Sequence, residues 1–364
     1  MAQQLKHTSK PKGLYSTLLR AQKPMRKVMI ATLPCIFGSI YFFGWRSLAV
    51  IIVSCAVAFT VEYLFCRRRG EPASEAVFVT GILFALIMPP TVPWHVVVIG
   101  AVFAIMFSKE VFGGFGRNFF NPAMAGRCFV YICFPVALTA MWATPAPSVF
   151  DGLQEWLAGG FHHGMPKLTH LAGALGQWSV ASVPEAITSA TPMGQIKLDM
   201  LAGKAATVPP LSQLLFGNIG GVMGGTSALL ALIGGLYLFV TRTASRTIIL
   251  SVIIPYMALN QVLAWMQIKP FVGALPSTLG AGFLFGALFM ATDPVSAPKT
   301  EPARVAYGTI IAVCVVVIRN YSIFPAGFMF SLLIANMFAA ILDHAVNEWK
   351  KRKGAKPAAQ GAAA

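Results

Sequence analysis

Long apolar runs, recurring along almost the whole chain, constrain this sequence more than any other feature. Ten of them fall at roughly 28–44, 47–66, 76–90, 94–110, 122–142, 223–241, 246–267, 275–291, 305–319 and 322–343. A hydrocarbon core of about 30 Å is crossed by roughly 20 helical residues. The expectation is therefore an all-α polytopic membrane protein with about ten transmembrane helices. Composition agrees: 56% of the 364 residues are hydrophobic and only 11% charged, against about 25% charged in a typical soluble domain.

The formal charge of +16 does not point to nucleic acid, because the basic residues sit in short clusters between the apolar runs. Their distribution sets an orientation instead. With the N-terminus in the cytoplasm and ten spans, 22 of the 28 Lys and Arg face inward. These include Arg67 to Arg69, Lys109, Arg117, Arg127, Arg242, Arg246, Lys299 and Arg304, besides both tails. Arg46, Lys167, Lys197, Lys204, Lys269 and Arg319 face outward. The predicted organisation is a cytoplasmic segment 1–27, a first five-helix unit 28–142, an outward loop 143–222, a second five-helix unit 223–347 and a basic cytoplasmic tail 348–364. The setting is a bacterial inner membrane. Segment 1–27 is polar and basic, without the apolar stretch of a signal peptide.

The two units share a pattern. Gly81-Ile82-Leu83-Phe84 leads through Met88 to Pro89, and Gly282-Phe283-Leu284-Phe285 leads through Met290 to Pro294. The next apolar segment passes a glycine, Gly100 or Gly308, and ends on a base, Lys109 or Arg319. Five segments per unit forces opposite orientations, so the pattern predicts two inverted repeats with short or broken helices at the centre. Such segments at matching positions are the best sequence pointer to a binding site.

Three stretches could carry chemistry. In Lys109 to Pro122, the glycines Gly113, Gly114 and Gly116 let backbone approach a ligand closely, with Arg117 beside them, and Asn118 and Asn121 offer amides. A plain turn with a helix cap at Asn121 uses the same residues. In Met290 to Ser296, Asp293 is an acid at a broken apolar segment, which is expensive unless used; it could cap a helix, bind a cation or accept from a ligand. In the outward loop, Thr188 to Pro192 reads on its own as ordinary loop chemistry. Glu62 and Asp343 are further acids near cytoplasmic ends, either on an ion path or at the interface. The six cysteines form no CxxC pair and read as small reduced side chains, and His162, His163 and His170 as loop histidines; no metal site is expected.

Together, the runs Gly113 to Arg127 (GGFGRNFFNPAMAGR), Phe289 to Ala297 (FMATDPVSA) and Thr188 to Pro192 (TSATP) resemble a family of membrane flavoproteins. Its members are the RnfD component of the Rnf complex and the NqrB component of the Na⁺-translocating NADH:quinone reductase. The resemblance spans about Met25 to Asn347, and the first two motifs are specific together and in this order. It implies a flavin-carrying subunit of an ion-translocating oxidoreductase complex, coupling electron transfer to Na⁺ or H⁺ movement. It implies FMN attached through a phosphoester to Thr191, although Glu185-Ala186 stand where the family motif has Asp-Gly. It also implies a non-covalent riboflavin near Asn118, Asn121 and Asp293. Its partners would be a flavin transferase, a second FMN subunit, iron–sulfur and NADH-linked subunits, and membrane lipids. Ala58 and Phe59 replace the glycine pair associated with quinone binding, and Tyr41 to Gly44 resemble the Rnf protein, whereas Val79 to Leu86 resemble the quinone reductase. The RnfD type is the favoured reading. The broken segments also suit a non-redox channel or transporter, since the family fold resembles urea channels, and a purely structural anchor for other subunits is a third reading.

Overall fold

The computed structural model describes residues 18–139, 208–268, 271–280, 282–322 and 327–354, with a few residues between 142 and 199. Among these, nearly all regular structure is helical. Five helices are long and apolar enough to cross a membrane: α1 (Lys23–Phe43), α2 (Trp45–Arg69), α7 (Arg246–Trp265), α10 (Glu301–Tyr321) and α11 (Gly327–Gly354). The other expected spans are short or interrupted. They comprise α3 (Ala76–Leu86), α4 (Trp94–Ile105), α5 (Pro122–Cys133), α6 (Ala228–Val240), α8 (Ala274–Leu279) and α9 (Phe283–Phe285).

The interruptions correct several sequence boundaries. The run 275–291 is not one helix. It breaks around Gly280 and Gly282, the latter at φ +69°, and resumes as α9 followed by a π-helical turn, Gly286–Met290. The run 94–110 ends in a matching π turn, Met106–Glu110. The run 122–142 stops at Phe134, before Pro135 begins a separate short helix. Hydropathy is blind to these points because residues on both sides are apolar; π turns inside helices are frequent at functional sites. A parallel pair of two-residue strands, β1 (Leu19–Arg20) and β2 (Ala73–Ser74), was not foreseen.

Local chemistry accounts for the helix ends. Pro24 and Pro122 sit in the first turns of α1 and α5, where their missing N–H is no loss. Ser227 and Ser245 cap α6 and α7 by accepting from Leu230 and Ile248 N–H. Gly70 closes α2 in the left-handed region, with Arg67 to Arg69 against the negative end of the helix dipole. The start of α10 is capped from another helix: Asp343 of α11 accepts from Lys299 N–H at 2.8 Å and from Thr300 N–H at 2.9 Å.

Broken backbone away from water must find internal partners. Three buried arginines among the described residues supply some of them. Arg46 donates to Val92 O at 2.8 Å, between α3 and α4. Arg127 donates to Ile87 O, at the end of α3. Arg319 donates to Ser277 O and Gly280 O, both at 2.8 Å, and to Tyr256 Oη at 2.6 Å, holding the end of α8. The stretch 222–225 also pairs with the end of α3, through Gly224 N–H to Leu86 O at 2.6 Å and Met223 N–H to Met88 O at 3.1 Å.

One continuous apolar core runs through elements on both sides of the 143–222 loop. α1 packs on α6, α2 on α3 and α4, α7 on α10, and α10 on α11. Close approach relies on small residues, as is usual where apolar helices meet. A Cβ on Gly234 would lie 2.1 Å from Ala31 O of α1. We expect Gly234→Ala to destabilise the purified protein in a detergent thermal melt by about 1–3 kcal/mol, the usual cost of overpacking. Gly221→Ala, where a Cβ meets nothing closer than 3.5 Å, should leave the melt unchanged.

Candidate functional site

A cleft opens where the breaks converge. Its apolar walls include Val28 of α1, Val79 and Leu83 of α3, Leu238 of α6 and Phe289 of the second π turn. Its polar residues include Lys109, Asn118, Asn121, Thr292 and Asp293, with Phe115 beside them. Residues nearly 180 positions apart thus face one space. Asn118 and Asn121 arrive on the loop after α4, and Asp293 on the turn after α9.

Each polar group is held. Asn121 caps α5, its Oδ1 accepting from Met124 N–H at 3.2 Å. Its Nδ2 donates to Met290 O at 3.1 Å, tying the α5 start to the second π turn. Asn121 is thus the helix cap that a plain turn would use, and the same side chain lines the cleft. Asn118 is buried and donates to Phe120 O at 3.2 Å. Half-buried Asp293 folds its carboxylate over its own turn, accepting from Val295 N–H at 3.3 Å and Ser296 Oγ–H at 2.7 Å. The surrounding protein raises its carboxyl above the ordinary range; those two bonds and the nearby Lys109 charge oppose the shift.

Lys109 entered the sequence reading through orientation and the repeat, without a role of its own, and it is a wall of this cleft. It is 2% exposed. Its Nζ donates to Glu62 Oε2 at 2.5 Å and to Ser74 Oγ at 2.8 Å. Ser74, on β2, donates both N–H and Oγ–H to Glu62 Oε1, at 2.8 and 2.6 Å. The Phe115 ring centre lies 5.6 Å from Nζ. A second pair lies behind, Arg69 to Glu110 at 2.5 Å. A Lys at the end of an apolar segment was the signal available in the sequence; the partner, 47 residues upstream, was not.

The remaining candidates fall elsewhere. Gly113 and Gly114 adopt φ +102° and +91°, which the turn demands and which favours glycine. They lie outside the cleft walls: Arg117 packs over Gly113, and Arg69 over Gly114. Arg117 is exposed. Glu62 lies behind Lys109, and Asp343 caps α10; neither lines the cleft. Glu62, Cys66 and Glu110 bring ligand atoms within 4.8 Å of one another, but Lys109 and Arg69 already neutralise the two carboxylates. Thr191 and the loop histidines lie outside the described residues.

Comparison with known proteins finds relatives over nearly the whole chain. Residues 11–351 match the model of the NQR2, RnfD, RnfE family. The D-type subunit of an ion-translocating oxidoreductase complex from Stutzerimonas stutzeri is 32% identical over 328 residues, covering 88% of both chains. The equivalent protein from Aliivibrio salmonicida is 30% identical, covering 89% of this chain and 92% of that one. The B-type subunit of the Na(+)-translocating NADH-quinone reductase from Chromohalobacter salexigens is 35% identical over 85% of this chain, but over only 66% of its own longer sequence. The cleft residues and the matches lie on one continuous stretch, and the chain belongs to the NQR2, RnfD, RnfE family.

Proposed function

We propose that this chain is a flavin-carrying membrane subunit of an ion-translocating oxidoreductase complex of the Rnf type. The observation that carries the reading is the cleft itself, which gathers Asn118, Asn121, Asp293 and the buried Lys109 from distant parts of the chain. Apolar walls combined with amides and an acid suit an isoalloxazine ring, whose faces are apolar and whose edge both donates and accepts. Asn118 and Asp293 would hold the polar edge of a riboflavin. Asn121 would set the position of that edge through its ties to Met124 and Met290. Leu83 and Phe289 would exclude water from the ring faces. A flavin bound there supplies one- and two-electron transfer; the protein contributes position and electrostatics.

In this reading a second flavin, FMN, is carried on Thr191, and the 143–222 loop faces outward where a flavin transferase can reach it. Ten spans in two inverted five-helix units, with both termini cytoplasmic, fit the charge distribution. The packing of α1 on α6 and of α5 on α11 supports that arrangement, because each joins corresponding members of the two units. The matched names support electron transport linked to ion movement, with Na⁺ or H⁺ as cargo and redox subunits as partners. Coverage of both chains at 88% favours the D type over the longer B type.

The test is spectroscopic. The full chain purified from flavin-replete cells should be yellow, and denaturation should release one non-covalent flavin. Asp293→Ala should weaken that flavin by about 10- to 100-fold, the value of a hydrogen bond to a charged group at roughly 1.5–3 kcal/mol. A colourless preparation would instead favour a channel or an anchor.

A further inference from the structure

The cleft contains one buried cation, and the reading above leaves it without a task. Holding an ammonium group at 2% exposure is costly, and the chain commits a carboxylate, a serine and a strand pairing to keeping it there. The arrangement is directional. Lys109 lines the cleft and Glu62 does not, so the ion pair presents its positive end to the space and its negative end to the protein. Three features fix the pair. Ser74 bonds to both partners, β2 is anchored by β1, and Lys109 sits at the C-terminal end of the α4 π turn, where the helix dipole favours a cation.

We infer that Lys109 is the residue that sets the redox potential of the cleft flavin, and that Glu62 sets how much of its charge the cleft experiences. The inference rests on the flavin reading above and deepens it. A fixed positive charge beside a redox group stabilises the form that has gained an electron. In a water-poor site that stabilisation is larger than in solvent, because the effective dielectric is lower. The charge acts without reorganisation, since its donors and acceptors are already in place. Lys109 and Asp293 line the same cleft, so the two charges share one space. Lys109 is thus a positioning and tuning residue rather than a catalytic one.

The experiment uses the full chain carrying Thr191→Ala, so that only non-covalent flavin reports, with potentiometric titration followed by flavin absorbance. Lys109→Met should make the flavin harder to reduce by about tenfold in equilibrium constant, about 59 mV for a one-electron step. Lys109→Arg should stay within about threefold of the parent. Glu62→Gln should shift the potential the other way, because it uncovers the lysine charge. A purely structural pair would move both single variants in the same direction, or neither. If a single variant does not assemble, Lys109→Met with Glu62→Met removes the pair together, a change often neutral for stability. Its potential should lie below the parent, since the nearer charge is the one lost. Flavin present with every variant within threefold of the parent would overturn the inference. No flavin in the parent would instead remove the reading on which it rests.

Discussion

Thr191→Ala should abolish covalent flavin completely. A phosphoester needs a hydroxyl oxygen, and alanine has none, so the expected change is all or nothing rather than graded. The measurement is flavin fluorescence of the band in a denaturing gel, with mass spectrometry of the loop peptide. The parent chain, made in cells that contain a flavin transferase, should fluoresce and carry the mass of FMN on the peptide holding Thr191. Persistence of fluorescence in Thr191→Ala would place the attachment on another residue; absence from the parent would remove covalent FMN from the proposed function. On the proposed function a non-covalent flavin in the cleft should survive the substitution, since none of the described cleft residues lies in the loop. The two flavins would then be separable in one preparation.

Arg319→Ala should be among the most destabilising single changes in the chain. The guanidinium satisfies Ser277 O, Gly280 O and Tyr256 Oη together, and the residue is only 5% exposed. Its removal takes this donor from Gly280 O and leaves Ser277 O with Tyr256 Oη–H at 3.3 Å. At about 1–3 kcal/mol for a buried group left unsatisfied, the loss is on the order of 3 kcal/mol. The expected result is a fall of about 10 °C in melting temperature in detergent. Arg319→Lys should recover only part of it, since an ammonium group cannot reproduce a planar fork. A melting temperature within about 2 °C of the parent would show that the break is held by other contacts, such as the stack of Tyr256 on Phe283 at 3.8 Å.

The sequence made some of this legible and hid the rest for physical reasons. The long helices α1, α2, α7, α10 and α11 follow from runs of apolar residues at hydrocarbon-spanning length. The meeting of Asn118, Asn121 and Asp293 followed from a resemblance and a repeat pattern, and the shared cleft brings the three together. Short or broken central helices were expected from the repeat, but where they break and into what was not legible. Gly280 and Gly282 were visible as glycines, but a hydropathy window averages across them, and nothing in Met106 to Glu110 marks a π turn. The Glu62 to Lys109 pair was also hidden. Each residue was noticed alone, one as an acid near an interface and the other as a topological marker. Their pairing depends on how α2 leans on the end of α4, which no local pattern encodes.

The contacts between the end of α3, the 222–225 stretch and the second π turn have a mechanical consequence. Gly224 N–H on Leu86 O and Met223 N–H on Met88 O join main chain to main chain, and the Asn121 side chain reaches the main-chain Met290 O. A slip of the seam by one residue would misalign all three at once and strand polar groups in an apolar interior. The two parts of the chain therefore meet in indexed steps, like teeth in a detent. Any movement of these two parts against each other must either leave this seam intact and bend elsewhere, or jump it by a whole residue.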